Sequence, residues 1–501
     1  MVVNRIRGMR MIKEPLAIII LGASGDLAQR KLLPALFSLY AQKLLPENFH
    51  VFGFARSEMT DAAFRARATE RLMCRYTPEA RECATLMEQF LARCHYVGGD
   101  YGSSDAFRHL ADVLRGEFGT LNVNRLFYLA IPPSVFLDAA HALNTSGLVS
   151  HDSHKGWTRV VIEKPFGHDR ASSDELVTAL GQVFTDEQTY RIDHYLGKEI
   201  IQNLLVLRFA NCIFEPLWSR EFVSDVRITW KEDIGIGGRA GYFDDFGIIR
   251  DVMQNHILQM LALTAMGRPD KLDAHHVRDE KVHVLRAIQP LAPEDLVVGQ
   301  YAAAEQGAGG RPAYRGEPGV PPTSRTPTYA AAVLRVKNDR WRGVPFLVEC
   351  GKALNGTLAE IRLRFRDEVG NLFHPGTPTL SPNELVIRVQ PDEAIFLRIN
   401  NKVPGLGMKL APTELNLRYR AAFAGVIPEA YESLLLDVVK GDKSLFIRAD
   451  ELAASWDVFD HVLHDLETHP REPEFYAYGS RGPRSVAHLA ERHGIELETG
   501  A

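Results

Sequence analysis

Six apolar residues in a row, Leu16 to Leu21, end abruptly at Gly22. A short Ile-rich run closed by a glycine turn predicts a strand buried on both faces. The next stretch, AQRKLLPALFSLYAQKLL, has helical spacing, and Pro34 inside it must kink or restart the helix. FHVFGFARS predicts a second strand, NRLFYLAIPPS a third that Pro132 and Pro133 stop, and TRVVIEKPFG a fourth that Pro165 stops. Helical patterns separate all four. Such alternation predicts a parallel sheet with helices on both faces, an α/β domain over 12–192. Past residue 210 the pattern changes. DVRITWKED, AAVLRVKN, PFLVECGKA, AEIRLRFRD, ELVIRVQP and AIFLRIN all read as strands. Connections as short as NDRWRG and PDE favour antiparallel neighbours. The second domain, 193–501, is therefore expected to be α+β, with a large, mostly antiparallel sheet. A long Gly/Pro-rich stretch at 305–327 predicts a loop that is either mobile or functional.

Composition narrows the picture. A chain of 501 residues, 46% of them hydrophobic, is long enough for two cores. A net charge of −5 gives no sign of nucleic acid or an anionic membrane surface as partner. No apolar run approaches the roughly 20 residues that span a bilayer. The first residues, MVVNRIRGMRMIKE, carry four basic side chains but no apolar stretch, so no secretory signal is expected. Five cysteines, an odd number without zinc-site spacing, predict a reduced interior and no metal. The expected compartment is the cytoplasm, or the plastid stroma if a transit peptide is missing from this chain.

Three segments carry candidate chemistry. Gly22-Ala23-Ser24-Gly25-Asp26-Leu27 lies where a strand-to-helix turn would cradle a pyrophosphate. Its second glycine sits one residue later than in a G-x-G-x-x-G turn, so a plain tight turn stays open as an alternative. Arg56 and Ser57 end the second strand, where a guanidinium suits the 2′-phosphate of NADP, or is simply a surface arginine. A Rossmann-like nucleotide-binding domain follows from the two together. The segment RIDHYLGKE, 191–199, predicts a helix from His194 with Asp193 as its N-cap. His194, Lys198 and Gln202 would then share one stripe and Leu196, Ile200 and Leu204 another. That is a phosphate socket or a capped helix with a solvated face. The third segment, 247–261, predicts a helix with His256 on a face shared by Ile249, Val252, Met253 and Met260. A buried imidazole needs a partner, and Asp193 is a candidate.

These segments, with FYLAIPP at 127–133, EKPFGHD at 163–169, GYFDDFGIIRDVMQNHILQM at 241–260, CGKAL at 350–354 and YGSRGP at 478–483, resemble the glucose-6-phosphate dehydrogenase family along essentially the whole chain. The resemblance implies that His256 is the general base toward the C1 hydroxyl of β-D-glucose 6-phosphate and that Asp193 orients it. It implies that His194, Tyr195 and Lys198 hold the 6-phosphate, and that Lys164, Glu232 and Asp251 bind sugar hydroxyls. Lys164 would also reach the coenzyme, NADP, and Lys352 would lie at the substrate's edge. The products would be NADPH and 6-phosphogluconolactone, the first step of the oxidative pentose phosphate pathway, from a homodimer or homotetramer.

The chain also departs from the family. Glu349, Thr357 and Leu358 replace basic residues of members that hold a second, structural NADP, although Arg362, Arg388 and Arg398 remain, so no second coenzyme is expected. Phe136 stands where relatives often have a tyrosine that contacts the coenzyme. The segment 73–94 resembles the plastid branch, which implies a regulatory disulfide between Cys74 and Cys83, reduced by thioredoxin and acting through the sheet beneath the coenzyme. Three unpaired thiols are the alternative. Two rival functions stay open: an NADP-binding regulator without catalysis, and an oxidoreductase of another sugar phosphate.

Overall fold

The computed structural model describes residues 14–77, 79–152, 155–304, 310–367, 380–423 and 425–497. The basic N-terminal residues 1–13, and 305–309 of the Gly/Pro-rich loop, lie outside them.

The first domain is built on six parallel strands: β1 (Leu16–Leu21), β2 (Phe49–Ala55), β3 (Cys94–Gly98), β4 (Asn124–Leu129), β5 (Thr158–Ile162) and β6 (Thr189–Arg191). Their order is β3-β2-β1-β4-β5-β6. The direction of winding reverses between β1 and β4, which opens a crevice at the carboxyl ends of those strands. Every residue of β1 and β4 is buried, as the apolar run of β1 demands, and β4 buries the polar Asn124 and Arg125 at its start as well. The helix runs on through Pro34 without restarting. A π-helical turn, Ala28–Leu32, passes directly into an α-helix, Leu33–Ala41, with right-handed helical backbone at Leu27, Leu32 and Leu33, so the wider turn immediately precedes the residue that lacks an amide hydrogen. β3 and β6 escaped the sequence pattern because one is a short edge strand and the other has three residues.

The second domain carries nine strands: β7 (Val223–Lys231), β8 (Leu296–Ala302), β9 (Tyr329–Arg335), β10 (Pro345–Gly351), β11 (Leu358–Phe365), β12 (Glu384–Gln390), β13 (Ala394–Lys402), β14 (Leu410–Arg418) and β15 (Glu474–Ala477). They run in the order β14-β13-β12-β11-β7-β10-β9-β8-β15. Only the β7–β10 and β8–β15 pairs are parallel. One apolar core continues through both domains. Arg159 of β5 crosses the seam to donate to the carbonyls of Val438 and Val439 (2.7 and 2.8 Å), and the Trp456 indole donates to Phe166 O (3.2 Å).

Two expectations need correction. No single helix starts at His194. A 3-10 turn, His194–Gly197, ends at Lys198, whose extended backbone (φ −72°, ψ 134°) starts a new α-helix, Glu199–Phe209. The cause is remote: at Gly197 even a Cβ would come within 2.5 Å of Ala430 O, so close packing against the Ala430–Lys440 helix redirects the chain. Second, the helix bearing His256 is π-helical over Ile249–Ile257 and buried on every side, not along one face. Gly247 (φ 65°, ψ 171°) breaks it from the preceding turns. The Asn255 side chain donates to Arg250 O (2.9 Å), supporting the wider winding. The described part of the long loop is packed in place: Tyr314 is buried, and its hydroxyl and that of Ser324 both donate to Asp244 Oδ1 (2.8 and 2.5 Å).

Deep in the second domain Lys281 and Glu451 form a fully buried ion pair (2.7 Å) between the Ala274–Ala287 and Ala449–Thr468 helices. Lys281→Met strands a buried carboxylate and should cost about 3–5 kcal/mol. It is read as a drop in thermal midpoint, most of which Lys281→Met with Glu451→Leu should restore.

Candidate functional site

The turn after β1 is shaped by backbone contact. Gly22 has φ +85°, and a Cβ there would lie 2.1 Å from Ala130 O, at the end of β4. Its amide donates to Phe54 O of β2 (2.8 Å), and Gly25 N donates back to Gly22 O (2.9 Å). Ala23 is buried, Gly25 and Asp26 are exposed, and Leu27 is half-buried. Ser57 Oγ donates to Ser24 Oγ (3.0 Å), so the ends of β1 and β2 are joined. Arg56 is exposed and sits over the Tyr101 ring, 5.5 Å from its centroid. A glycine cradle at the switch point with an exposed guanidinium at its rim fits a dinucleotide bearing an extra phosphate. Phe136 is buried in the core.

Beyond β6 the chain enters the centre of the molecule. Asp193 caps the 3-10 turn by accepting from Tyr195 N (3.0 Å). The same oxygen lies 2.6 Å from His256 Nδ1. Asp193 and His256 are both buried, one from the end of the first sheet and one from the π-helix of the second domain. The contact commits Nδ1 to the carboxylate and leaves Nε2 as the ring's other functional atom. Asp193 Oδ2 is buried without a hydrogen-bond partner among the described residues. The Tyr195 ring stacks on His256 (centroids 4.6 Å apart, 30° between planes), and the Trp230 indole donates to the Tyr195 hydroxyl.

Three lysines surround this pair, each already held. Lys164 donates to Asp251 O (2.6 Å) and Oδ1 (3.1 Å). Lys352, almost wholly buried, donates to Glu232 (2.6 Å). Lys198 donates to the neutral Gln390 side chain (2.6 Å) and lies 4.7 Å from the Tyr195 ring centroid. Gln202 donates only a long bond back to Gly197 O (3.4 Å). His194 packs edge-on against His256 (4.8 Å) and parallel to Tyr431 (6.2 Å). His194 and Lys198, although on different helical segments, open onto the same cavity of about 980 Å³, with Lys31, Arg75, Gln390 and Tyr431.

The electrostatics follow from burial. Burial works to raise the Asp193 carboxyl, but His256, His194 and the Tyr195 amide outweigh it and hold it at about 2. For Asp251 burial is again outweighed, here by Lys164 and Lys352, and it too lies at about 2. Burial lowers His256, which Asp193 partly opposes. Burial, with His256 and the lysines nearby, holds His194 down at about 3, so it is neutral at pH 7. Burial also lowers Lys198.

Sequence reasoning missed Gln390, Tyr431 and Glu163. The hydroxyls of Tyr128 and Tyr431 both donate to Glu163 Oε1 (2.5 and 3.1 Å). Glu163 was visible beside Lys164, but nothing local pointed to two tyrosine partners. A disulfide joins Cys74 and Cys83, while Cys94 and Cys350 are buried and Cys212 is exposed. Glu349 is tied to Thr229 and Tyr329 (2.8 and 2.9 Å). Arg362, Arg388 and Arg398 pair with Glu360 and Glu384 across the sheet.

A nucleotide cradle at the switch point of a parallel sheet, with a buried imidazole–carboxylate pair at the seam to a second domain, belongs to dinucleotide-dependent oxidoreductases. The family model for the glucose-6-phosphate dehydrogenase NAD binding domain matches residues 19–203, and that for the C-terminal domain matches 205–498. The chain is 51% identical over 483 residues to glucose-6-phosphate 1-dehydrogenase 3, chloroplastic, of Arabidopsis thaliana, covering 96% of this chain and 80% of that protein. It is 47% identical to glucose-6-phosphate 1-dehydrogenase of Dictyostelium discoideum, over 97% and 96% of the two chains. A solved structure titled glucose-6-phosphate dehydrogenase in complex with its substrate glucose-6-phosphate superposes with a TM-score of 0.89 at 40% identity, covering 98% of this chain and all of that one. The chain belongs to the glucose-6-phosphate dehydrogenase family.

Both buried aspartates have folded values below the ordinary 3.8. Their contribution is complete above that value and fades as the pH falls from 3.8 to about 2. The gap in thermal midpoint between wild type and Asp193→Asn, or Asp251→Asn, should therefore be widest near neutrality and close across that window. A gap constant with pH would contradict the ionised assignment.

Proposed function

We propose that the chain oxidises β-D-glucose 6-phosphate at C1 to 6-phosphogluconolactone, the entry step of the oxidative pentose phosphate pathway. The observation that carries the residue roles is the 2.6 Å contact between Asp193 and His256. With Nδ1–H committed to the carboxylate, Nε2 takes the C1 hydroxyl proton, and Asp193 stabilises the resulting imidazolium. As that proton leaves, the C1–H bond gives up its electron pair as hydride and the C1–O bond becomes a carbonyl. NADP, when bound, supplies the hydride acceptor. Arg56 and Ser57 would hold its 2′-phosphate, and Gly22 to Leu27 its pyrophosphate.

Lys198 brings the charge for the 6-phosphate, while neutral His194 and Tyr195 orient it by hydrogen bonds. Lys164 with Asp251, and Lys352 with Glu232, present donors and acceptors to the sugar hydroxyls, Lys164 also facing the coenzyme side. The exposed Leu415 and Leu417 on edge strand β14 favour a homodimer or homotetramer formed through the large sheet. Curated relatives are named as chloroplastic or cytoplasmic, and we assign this chain to one of those two settings.

The Cys74–Cys83 pair would be a redox switch with thioredoxin as its reductant. Its neighbours run two ways: Cys83 lies on the Ala80–Ala92 helix, which leads into β3 and packs Phe90 against Phe49 of β2, while the residues after Cys74 reach the second domain. Arg75 donates to Glu432 (2.5 Å) and Ile427 O (2.7 Å), and Tyr76 donates to Glu432 (2.6 Å). Glu432 follows Tyr431, which lies against His194. Reduction frees the segment that clamps the phosphate end of the cavity.

His256→Asn should lower kcat by about a hundred- to ten-thousandfold with little change in KM. Lys198→Ala should raise KM for glucose 6-phosphate by about 10- to 100-fold, the worth of one charged hydrogen bond, and leave KM for free glucose nearly unchanged. Equal effects on both sugars would remove the phosphate assignment. For the switch, reduced thioredoxin should raise KM for glucose 6-phosphate in the wild type and do nothing to Cys83→Ser. A Cys83→Ser enzyme that still responds would rule it out.

A further inference from the structure

At the far edge of the first sheet a second group of chemistry-bearing side chains converges. His50 and His95 are each the second residue of their strands, β2 and β3, which pair in parallel. His50 Nδ1 and His95 Nε2 are 3.0 Å apart. The Ser104–Phe118 helix brings Glu117 from its last turn, just before Gly119 ends the helix in a left-handed conformation. Glu117 Oε2 is 3.9 Å from His50 Nδ1, and Oε1 is 3.6 Å from His95 Nδ1. One nitrogen from each ring and one Glu117 oxygen fall within 4.8 Å of one another.

The rings are fixed by packing. His95 stacks on Phe52 (5.1 Å, 20°), and His50 meets Phe118 edge-on (5.2 Å, 81°). Their side chains are only 18% and 12% exposed for His50 and His95, while Glu117, at 36%, leaves an entry path. On its other side His95 Nδ1 lies 3.7 Å from Asp61 Oδ2. Asp61 is itself held by Tyr96 N (2.7 Å) and Arg65 (3.3 Å). Arg93, the nearest other cation, is turned to the carbonyls of Glu47 and Phe49 (2.9 and 3.5 Å).

We propose that His50, His95 and Glu117 form a binding site for a divalent transition metal of the zinc type, with water completing the coordination. Zinc bonds of about 2.0–2.2 Å in a tetrahedron set ligand atoms roughly 3.3 Å apart, and the 3.0 and 3.9 Å separations here bracket that value. Two imidazoles and one carboxylate suit zinc, copper or nickel over calcium or magnesium, which prefer oxygen alone. Asp61, 3.7 Å from the second nitrogen of His95, lies on the side from which a carboxylate orients a metal-bound histidine, but beyond hydrogen-bond distance here, as Glu117 is. Without a metal, the short contact needs one ring to donate and the other to accept, and Glu117 stands beyond hydrogen-bond distance from both. His50 lies at the opposite end of β2 from Arg56, so the site is remote from the nucleotide cradle. Its effect is to pin the sheet edge to a helix, not to enter the reaction.

The test is zinc retention by the full-length protein, measured by equilibrium dialysis and metal analysis with glucose 6-phosphate present. The sugar phosphate occupies the only other described His/carboxylate cluster, Asp193, His194 and His256. Wild type and His256→Asn should each retain one equivalent of Zn2+. His95→Gln should weaken binding by about 100-fold or more and Glu117→Gln by about 10- to 100-fold. Zn2+ should raise the thermal midpoint of wild type but not of either variant. Because Glu117 is partly exposed, its variant remains informative if a histidine variant fails to fold. Absence of retained zinc, or zinc lost with His256→Asn and kept by Glu117→Gln, overturns the proposal.

Discussion

The hydrogen bond between Asp193 and His256 is the constraint on which the rest of the site depends. It joins the first residues beyond a parallel sheet to a helix of the second domain, with both side chains out of water. A buried carboxylate without a counterpart would be costly, and a buried imidazole without an acceptor would be free to turn. Each removes the other's penalty only while the two domains keep their mutual placement. The contacts across the seam, from Arg159 to Val438 and Val439 and from Trp456 to Phe166, preserve that placement. Domain packing and ring orientation are thus one property.

The lysines divide the cavity by charge. Lys164 and Lys352 are each matched by a carboxylate, so the region around them is close to neutral while rich in donors and acceptors. Lys198 is matched by an amide, which fixes its direction without cancelling its charge. The one lysine of the three whose hydrogen-bond partner is neutral, with the Glu393 carboxylate nearby, therefore stands where His194 opens into the cavity. A ligand with a neutral polyhydroxyl body and one anionic end can satisfy both regions in a single orientation. The same matching keeps the lysines in place by bonds that shift partners instead of bonds that must form anew.

Much of this was legible in the sequence where burial is two-sided or spacing is local. The runs at 16–21 and 126–129 are apolar because both faces are covered, and GASGDL and Arg56 follow their strands directly. The pairing of Asp193 with His256 was inferable from the rule that a buried imidazole needs a partner. What escaped depends on distant chain. The break at Lys198 arises because Gly197 meets Ala430 O, more than two hundred residues away. Gln390 and Tyr431 reach the cavity only through the second domain's topology. β14 has almost no buried residue to betray it, since it lies at the sheet's edge.

The helix that carries Asp251 and His256 is enclosed on every side, in a molecule whose edge strand β14 is open to water. Local opening begins where little surface is covered, and enclosed segments exchange their amide hydrogens only when the whole domain opens. The chemistry of this protein is therefore mounted on the part of the chain with the least independent motion. Heat or denaturant can fray β14 and the loops well before the reacting groups lose register. Loss of activity then coincides with global collapse of the second domain, and not with softening at the mouth of the cleft.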